Sequence, residues 1–176
     1  MRKGQFVVAA LVLSAALGGA GMWYTQTRAY YEPVDAASPA AEINLTSFAG
    51  LSEPLLIEGF DGVDSFSSPI RYRACFTTPI SLPTLTETFQ PHPDPTPLIA
   101  PSWFSCFDAE AIGEALEEGT ALAFMGEHNI QYGIDRVVVI DENGQGYAWQ
   151  QINPCGEAAF AGDPLPEGCP AQEEGQ

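Results

Sequence analysis

Lysine occurs once, at position 3, and the chain of 176 residues holds only 6 basic side chains against 23 acidic ones, for a formal charge of −17. That shortage excludes nucleic-acid binding through phosphates, because displacing the counterions of a polyanion takes clustered Lys and Arg. Neither G-x-x-x-x-G-K-[ST] nor G-x-G-x-x-G occurs, which argues against nucleotide binding and phosphoryl transfer. The absence of G-x-S-x-G removes the strained serine elbow of hydrolases. The 15 Pro and 17 Gly follow no repeat, so the chain is neither collagenous nor low-complexity. Its length fits one folded domain with a short appendage.

What is present begins with one long apolar run. Residues 4–27 carry no charge, and residues 4–24, 21 in number, reach about 30 Å as a helix, enough to cross a bilayer. Trp23 and Tyr24 fall where interfacial aromatics belong. Arg2, Lys3 and the terminal amine outweigh the lone Arg28, so residues 1–28 are expected to anchor in the inner membrane with the N-terminus cytoplasmic and the remainder periplasmic. A cleavable signal peptide is the alternative, with Gly18-Gly-Ala20 after a 12-residue apolar core. Ala15 and Gly19 form a small-xxx-small pair that would admit a neighbouring helix.

Export changes how the cysteines read. Cys75, Cys106, Cys155 and Cys169 are even in number, lie beyond the apolar run and form no C-x-x-C, which points to two disulfides rather than a zinc site. Of the three pairings, Cys75 with Cys106 and Cys155 with Cys169 is favoured because it joins nearest neighbours. The second pair closes a 15-residue loop, a constraint that contributes ~3 kcal/mol.

Residues 29–42, with Pro33 and Pro39 and no periodicity, read as a linker, and residues 43–176 as the exported domain. Residues 29–176 set three arginines against all 23 acids, a balance of −20, so the domain should stand off anionic lipid. Strands are expected at 55–58 and 69–77, the second alternating so that Arg71 and Arg73 share a face. Seven prolines between 78 and 101 exclude regular structure there and predict an extended loop. Asp108 as N-cap and Gly119 as C-terminal cap bound the one expected helix of the domain. A buried strand at 120–125 and a hairpin, 136–140 and 146–152 about a turn at 141–144, complete an α+β fold: a small antiparallel sheet with one packed helix.

Candidate chemistry is thin. His92 lies in the proline loop and is expected in solvent. His128 sits in the densest polar setting, beside Glu127, Asn129, Gln131 and Tyr132, and a general base there would need Glu127 or Asp135 to orient it. Adjacent strand residues face opposite ways, which disfavours Glu127. Glu58, Asp61 and Asp64 recur every third residue without matching a calcium loop. No catalytic set, metal or cofactor is assigned. Trp103, Phe104, His128 and Tyr132 are the candidate interaction residues; exposed aromatics beside proline suit recognition at Trp103 and Phe104, with a place in the core as the equal alternative for those two.

The segments 68–76, 103–112, 132–138 and 146–156 together resemble a family of uncharacterised, single-span exported proteins of alphaproteobacteria. Some members carry a histidine-kinase label that this chain, lacking the length and the ATP-binding motifs, does not support. The expected function is that of a membrane-anchored periplasmic accessory or assembly protein. It would bind a protein partner in an envelope complex, without enzymatic activity and without nucleic acid or nucleotide. The alternatives are a periplasmic small-ligand or metal-binding sensor domain centred on His128, and an envelope hydrolase using His128.

Overall fold

A computed structural model describes residues 3–171, which divide after Tyr31 into two compact units. The first is the helix α1, Lys3–Thr27. Its Phe6, Leu17 and Trp23 side chains point outward along its whole length, as expected of a helix whose surroundings are apolar on every side. Its serine and threonine hydroxyls are satisfied internally: Ser14 donates to the Leu11 carbonyl at 3.0 Å, Thr25 to that of Met22 at 3.0 Å and Thr27 to that of Trp23 at 2.7 Å, an arrangement suited to a medium without water. From residue 4 to its end the helix is long and apolar enough to span a bilayer.

The second unit is α+β, as the sequence patterning indicates. Its elements are β1 (Glu32–Pro33), β2 (Asn44–Thr46), β3 (Ser52–Pro54), β4 (Glu58–Asp64), β5 (Arg73–Thr77), α2 (Leu82–Thr88), α3 (Ala109–Glu118), β6 (Ala121–Met125), β7 (Ile134–Asp141), β8 (Gln145–Ile152) and α4 (Pro154–Ala161). Six strands form one antiparallel sheet in the order β1-β4-β5-β8-β7-β6, and β2 and β3 pair separately. The hairpin β7–β8 lies inside the sheet, between β5 and β6, and Gly144 closes its turn at φ +81°, a conformation that glycine adopts without a Cβ clash.

Both faces of the sheet are covered. Tyr72, Ala74 and Phe76 point with Phe124, Val138 and Ala148 into a core completed by Ile43, Leu45, Leu55, Leu85 and Phe89. On the other face Phe107 stands edge-on to Tyr147 and Trp149, at 6.0 and 6.1 Å between ring centres. The two disulfides are Cys75–Cys106, which ties that covering segment to β5, and Cys155–Cys169, which closes the loop after β8.

Several expectations need correction. Residues 29–42 are not a free linker throughout: Glu32 and Pro33 pair with Asp64 and Val63, and Ala41 is buried. A proline is tolerated in β1 because it is an edge strand. The strand expected at 69–77 begins only at Arg73, since Pro69–Arg71 is a 3₁₀ turn, and the one at 55–58 is displaced to β3 and β4. The proline-rich segment contains α2, where Pro83 occupies the first turn and forfeits no intrahelical hydrogen bond. The domain also has more than one helix. In α3 the Asp108 carboxylate accepts from the N–H groups of Glu110 and Ala111, and Gly119 closes the helix at φ +74°. In α4 Asn153 and Gly162 do the same work.

Candidate functional site

The loop joining β6 to β7 is tied to the start of β7 and the N-terminus of α4 by a cluster of polar side chains. Ile134 starts β7 opposite Ile152 at the end of β8, so Asp135 lies near Asn153, the first residue beyond β8. The Asp135 side chain is buried, and its Oδ1 accepts from His128 Nδ1 at 2.9 Å, from the Asn129 N–H at 2.9 Å and from Asn153 Nδ2 at 2.7 Å. Asn129, held at φ +51°, accepts through Oδ1 from the Gly133 N–H and from Asn153 Nδ2, each at 3.0 Å. Asn153 Oδ1 caps α4 by accepting from the Gly156 N–H at 3.0 Å. Gly133 and Gly156 meet so closely that a Cβ on Gly133 would lie 2.4 Å from the Gly156 Cα.

This places Asp135, of the two expected partners, on His128. Glu127 turns away and accepts from Asn44 Nδ2 at 2.9 Å. The His128 side chain is itself 57% exposed, so one end of the pair is wet and the other dry. Chemically the assembly is a brace. One buried carboxylate gathers three donors and thereby fixes the loop to the N-terminus of α4.

The other expected residues fall elsewhere. Tyr132 is half-buried and donates its hydroxyl to the Pro170 carbonyl at 3.1 Å. Phe104 is buried and Trp103 half-buried, the two rings meeting edge to face at 6.4 Å. An exposed pair of aromatics at 103 and 104 is therefore not what the fold presents, because the Phe104 ring belongs to the covering of the sheet. Cys75, Cys106, Cys155 and Cys169 are all disulfide-bonded. Glu58, Asp61 and Asp64 are strung along β4, and among the described residues no three His, Cys, Asp or Glu are grouped to hold a metal.

His92 is not free in solvent. Its N–H donates to the Ala123 carbonyl at 3.0 Å, which lays the start of the proline loop along the edge of β6. Burial lowers its pKa from 6.5, against the opposing pull of Asp135 and Asp94. It lines a groove of about 460 Å³ whose other walls include Phe48, Phe89, Leu116, Leu122 and Phe124.

Two features escape the sequence reading. Arg136 is buried with its guanidinium 4.1 Å over the Tyr72 ring and donates to the Glu42 carbonyl at 3.4 Å. The Tyr72 hydroxyl donates to the Ala40 carbonyl at 2.9 Å, and burial pushes its pKa up to about 12. The second feature is the Asn153 cap, for which Asn153-Pro154 is the local signal: a capping side chain followed by proline at the first helical position.

Fold and site together define a small α+β domain, stapled by two disulfides, whose densest polar cluster braces a loop against a helix. Residues 43–170 match the family of unknown function DUF6446, and the chain belongs to that family. No curated protein and no solved structure matches the chain.

Proposed function

We propose that the protein is an accessory or assembly factor of an alphaproteobacterial envelope complex. In this reading α1 holds it in the inner membrane with its N-terminus cytoplasmic, and the domain binds a protein partner in the periplasm without performing catalysis. The observation that carries the reading is the commitment of the His128 cluster to the fold. Asp135, Asn129 and Asn153 engage one another and the backbone of α4, so the residues best placed to serve chemistry hold structure instead. The outward-facing apolar side chains of α1 support the anchor, and two disulfides suit an oxidising compartment.

Affinity purification of the full-length protein from its own membranes in mild detergent, with intact-mass measurement of the same sample, tests this. A stoichiometric membrane partner recovered with uncleaved protein is the expected result. A lone protein truncated near Ala20 would overturn it.

The groove beside His92 favours a second reading, a small-ligand sensor. Its volume of about 460 Å³ and its apolar walls lie within the range of small-molecule sites, roughly 300–1,000 Å³. Saturable binding of the neutral dye N-phenyl-1-naphthylamine, lost in Leu122→Arg, would favour it over the accessory role.

A further inference from the structure

The groove beside His92 draws its walls from separate segments of the folded unit. Phe48 reaches it from the turn between β2 and β3, Thr86 from α2, Leu116 from α3 and Leu122 from β6, with Phe89 and His92 from the chain after α2. Main-chain bonds hold these segments to one another. The Gln90 N–H donates to the Thr46 carbonyl at 2.8 Å and its carbonyl accepts from the Met125 N–H at 2.9 Å, while the Phe48 N–H donates to the Thr88 carbonyl at 3.1 Å and the His92 N–H to that of Ala123 at 3.0 Å. The side chain of Gln151, on β8, grips the loop beyond His92. Its Oε1 accepts from the Thr96 N–H and its Nε2 donates to the Asp94 carbonyl, both at 2.8 Å. Walls fixed in this way are already in place when a ligand arrives, which lowers the cost of binding.

No acidic or basic residue lines the groove apart from His92, and Thr86 and His92 are the polar side chains along it. The Thr86 hydroxyl gives its proton to the Pro83 carbonyl at 2.9 Å. His92 Nδ1 accepts from the Asp94 N–H at 3.3 Å, so the neutral ring carries its proton at Nε2 and is the side-chain donor of the wall. Burial favours that neutral ring; Asp94 and Asp135 pull towards the charged form from outside the lining, and His128 pushes against it. An anion in the groove would meet no basic side chain and the field of residues 29–176, where acids exceed cations by 20. A cation would give up its hydration to a wall without a carboxylate.

We propose that the groove takes an uncharged apolar molecule with one hydrogen-bond acceptor, such as a ketone or ether oxygen, which the His92 Nε2–H meets. The inference rests on the second reading above, in which the groove is a ligand site, and it names the class of ligand. Phe48, Phe89 and Phe124 bring three rings to the groove, which suits an aromatic or otherwise unsaturated frame.

Isothermal titration calorimetry of the full-length protein in detergent micelles is the test. The same titration into Leu116→Arg is subtracted, which removes heat from probes that enter the micelles or bind outside the groove. Thr86→Arg takes its place if the near-ultraviolet dichroism of Trp149 shows that Leu116→Arg does not fold. The probes share one frame: 2-acetonaphthone is neutral with an acceptor, naphthalene is neutral without one, and 2-naphthoate and 2-naphthylmethylammonium carry a negative and a positive charge. 2-Acetonaphthone should bind about three- to tenfold more tightly than naphthalene, and about tenfold or more above either ion. His92→Phe keeps the main-chain bond to Ala123 and removes the donor, so it should bring the two neutral probes to equal affinity. An ion that binds as tightly as 2-acetonaphthone overturns the inference and leaves the groove a ligand site. Equal affinities for the two neutral probes in the parent, or a His92→Phe variant that still separates them, have the same consequence. No saturable heat from any of the four probes overturns the inference, and if N-phenyl-1-naphthylamine is not bound either, the ligand-site reading falls with it.

Discussion

Replacing Asp135 with alanine should destabilise the protein by about 3–5 kcal/mol, while replacing its partner His128 with alanine should change stability by less than about 1 kcal/mol. The asymmetry follows from burial. Asp135 Oδ1 accepts three hydrogen bonds in a dry site, two of them from the Asn129 N–H and the Asn153 amide. Truncation leaves those donors without an acceptor, at about 1–3 kcal/mol each, and removes a charge-assisted bond. The His128 side chain is 57% exposed, so water replaces it with little penalty. Asp135→Asn keeps an acceptor at Oδ1 and should recover part of the loss. The assay is urea denaturation of full-length protein in detergent micelles with disulfides intact, followed by the near-ultraviolet dichroism of the fully buried Trp149, four residues before the cap. A parallel melt of Asp135→Ala should fall by about 6–20 °C, taking roughly 2–4 °C per kcal/mol for a chain of this size. Equal losses for His128→Ala and Asp135→Ala would refute the reasoning, as would an Asp135→Ala variant within 1 kcal/mol of the parent. Either result would mean that the carboxylate serves the histidine and not the fold.

The disulfides differ in the loops they close, with sequence separations of 31 for Cys75–Cys106 and 14 for Cys155–Cys169; alanine replacement of both partners should lower stability by about 4 and 3 kcal/mol respectively, and a reversed order in urea titrations would contradict the chain-entropy account. Gly133→Ala places a Cβ 2.4 Å from the Gly156 Cα at φ +75°, so a loss of about 3 kcal/mol or more is expected, and a melting temperature unchanged by that substitution would show that the loop and α4 are not in contact. Because burial lowers the His92 pKa below 6.5, the unfolded chain binds the proton more readily than the folded one, and stability should fall as pH drops from about 6.5 through the folded pKa; His92→Gln should flatten that part of a melting-temperature profile, and an unaltered slope would sink the assignment. With acids outnumbering cations by 20 in residues 29–176, the melting temperature should rise between low salt and about 0.5 M sodium chloride as repulsion is screened, and a flat response would mean that the acids do not repel one another measurably.

The elements that sequence reveals here are those held by local rules. Asp108 and Gly119 bound α3 because a capping carboxylate and a left-handed glycine act within a few residues of one another. The β7–β8 hairpin is legible for the same reason, through its alternation and its turn. What is hidden depends on distant partners. Strand β1 is two residues long, one of them proline, and exists because β4 offers it an edge. Helix α4 buries only Gly156 and has no apolar stripe; its cap, the Cys155–Cys169 bond and the contact with Gly133 secure it from outside. At the site, the polar composition around His128 singles out the loop, and the strand rule correctly disfavours Glu127. The choice of Asp135 depends on the register that sets the start of β7 beside the end of β8, which no local pattern encodes.

The scarcity of cations acquires a physical meaning once their positions are known. Arg73 binds the carbonyls of Ile70, Tyr72, Leu98 and Ile99 and lies 5.8 Å from the Phe107 ring. Arg136 binds the Glu42 carbonyl and stacks on Tyr72. Most of these carbonyls belong to segments outside any sheet ladder, where buried acceptors still need donors. A guanidinium presents five donors in a planar fork and stacks on aromatic faces, whereas an ammonium is a compact, strongly hydrated charge. A domain that lacks lysine but keeps arginine at these positions is therefore using its few cations to organise irregular backbone. Asp64 is the acid they reach: burial raises its pKa, and the charges of Arg136 and Arg73 oppose that rise. Net charge then reports where the cations went, and it does not by itself indicate which surface the domain offers to a membrane or a partner.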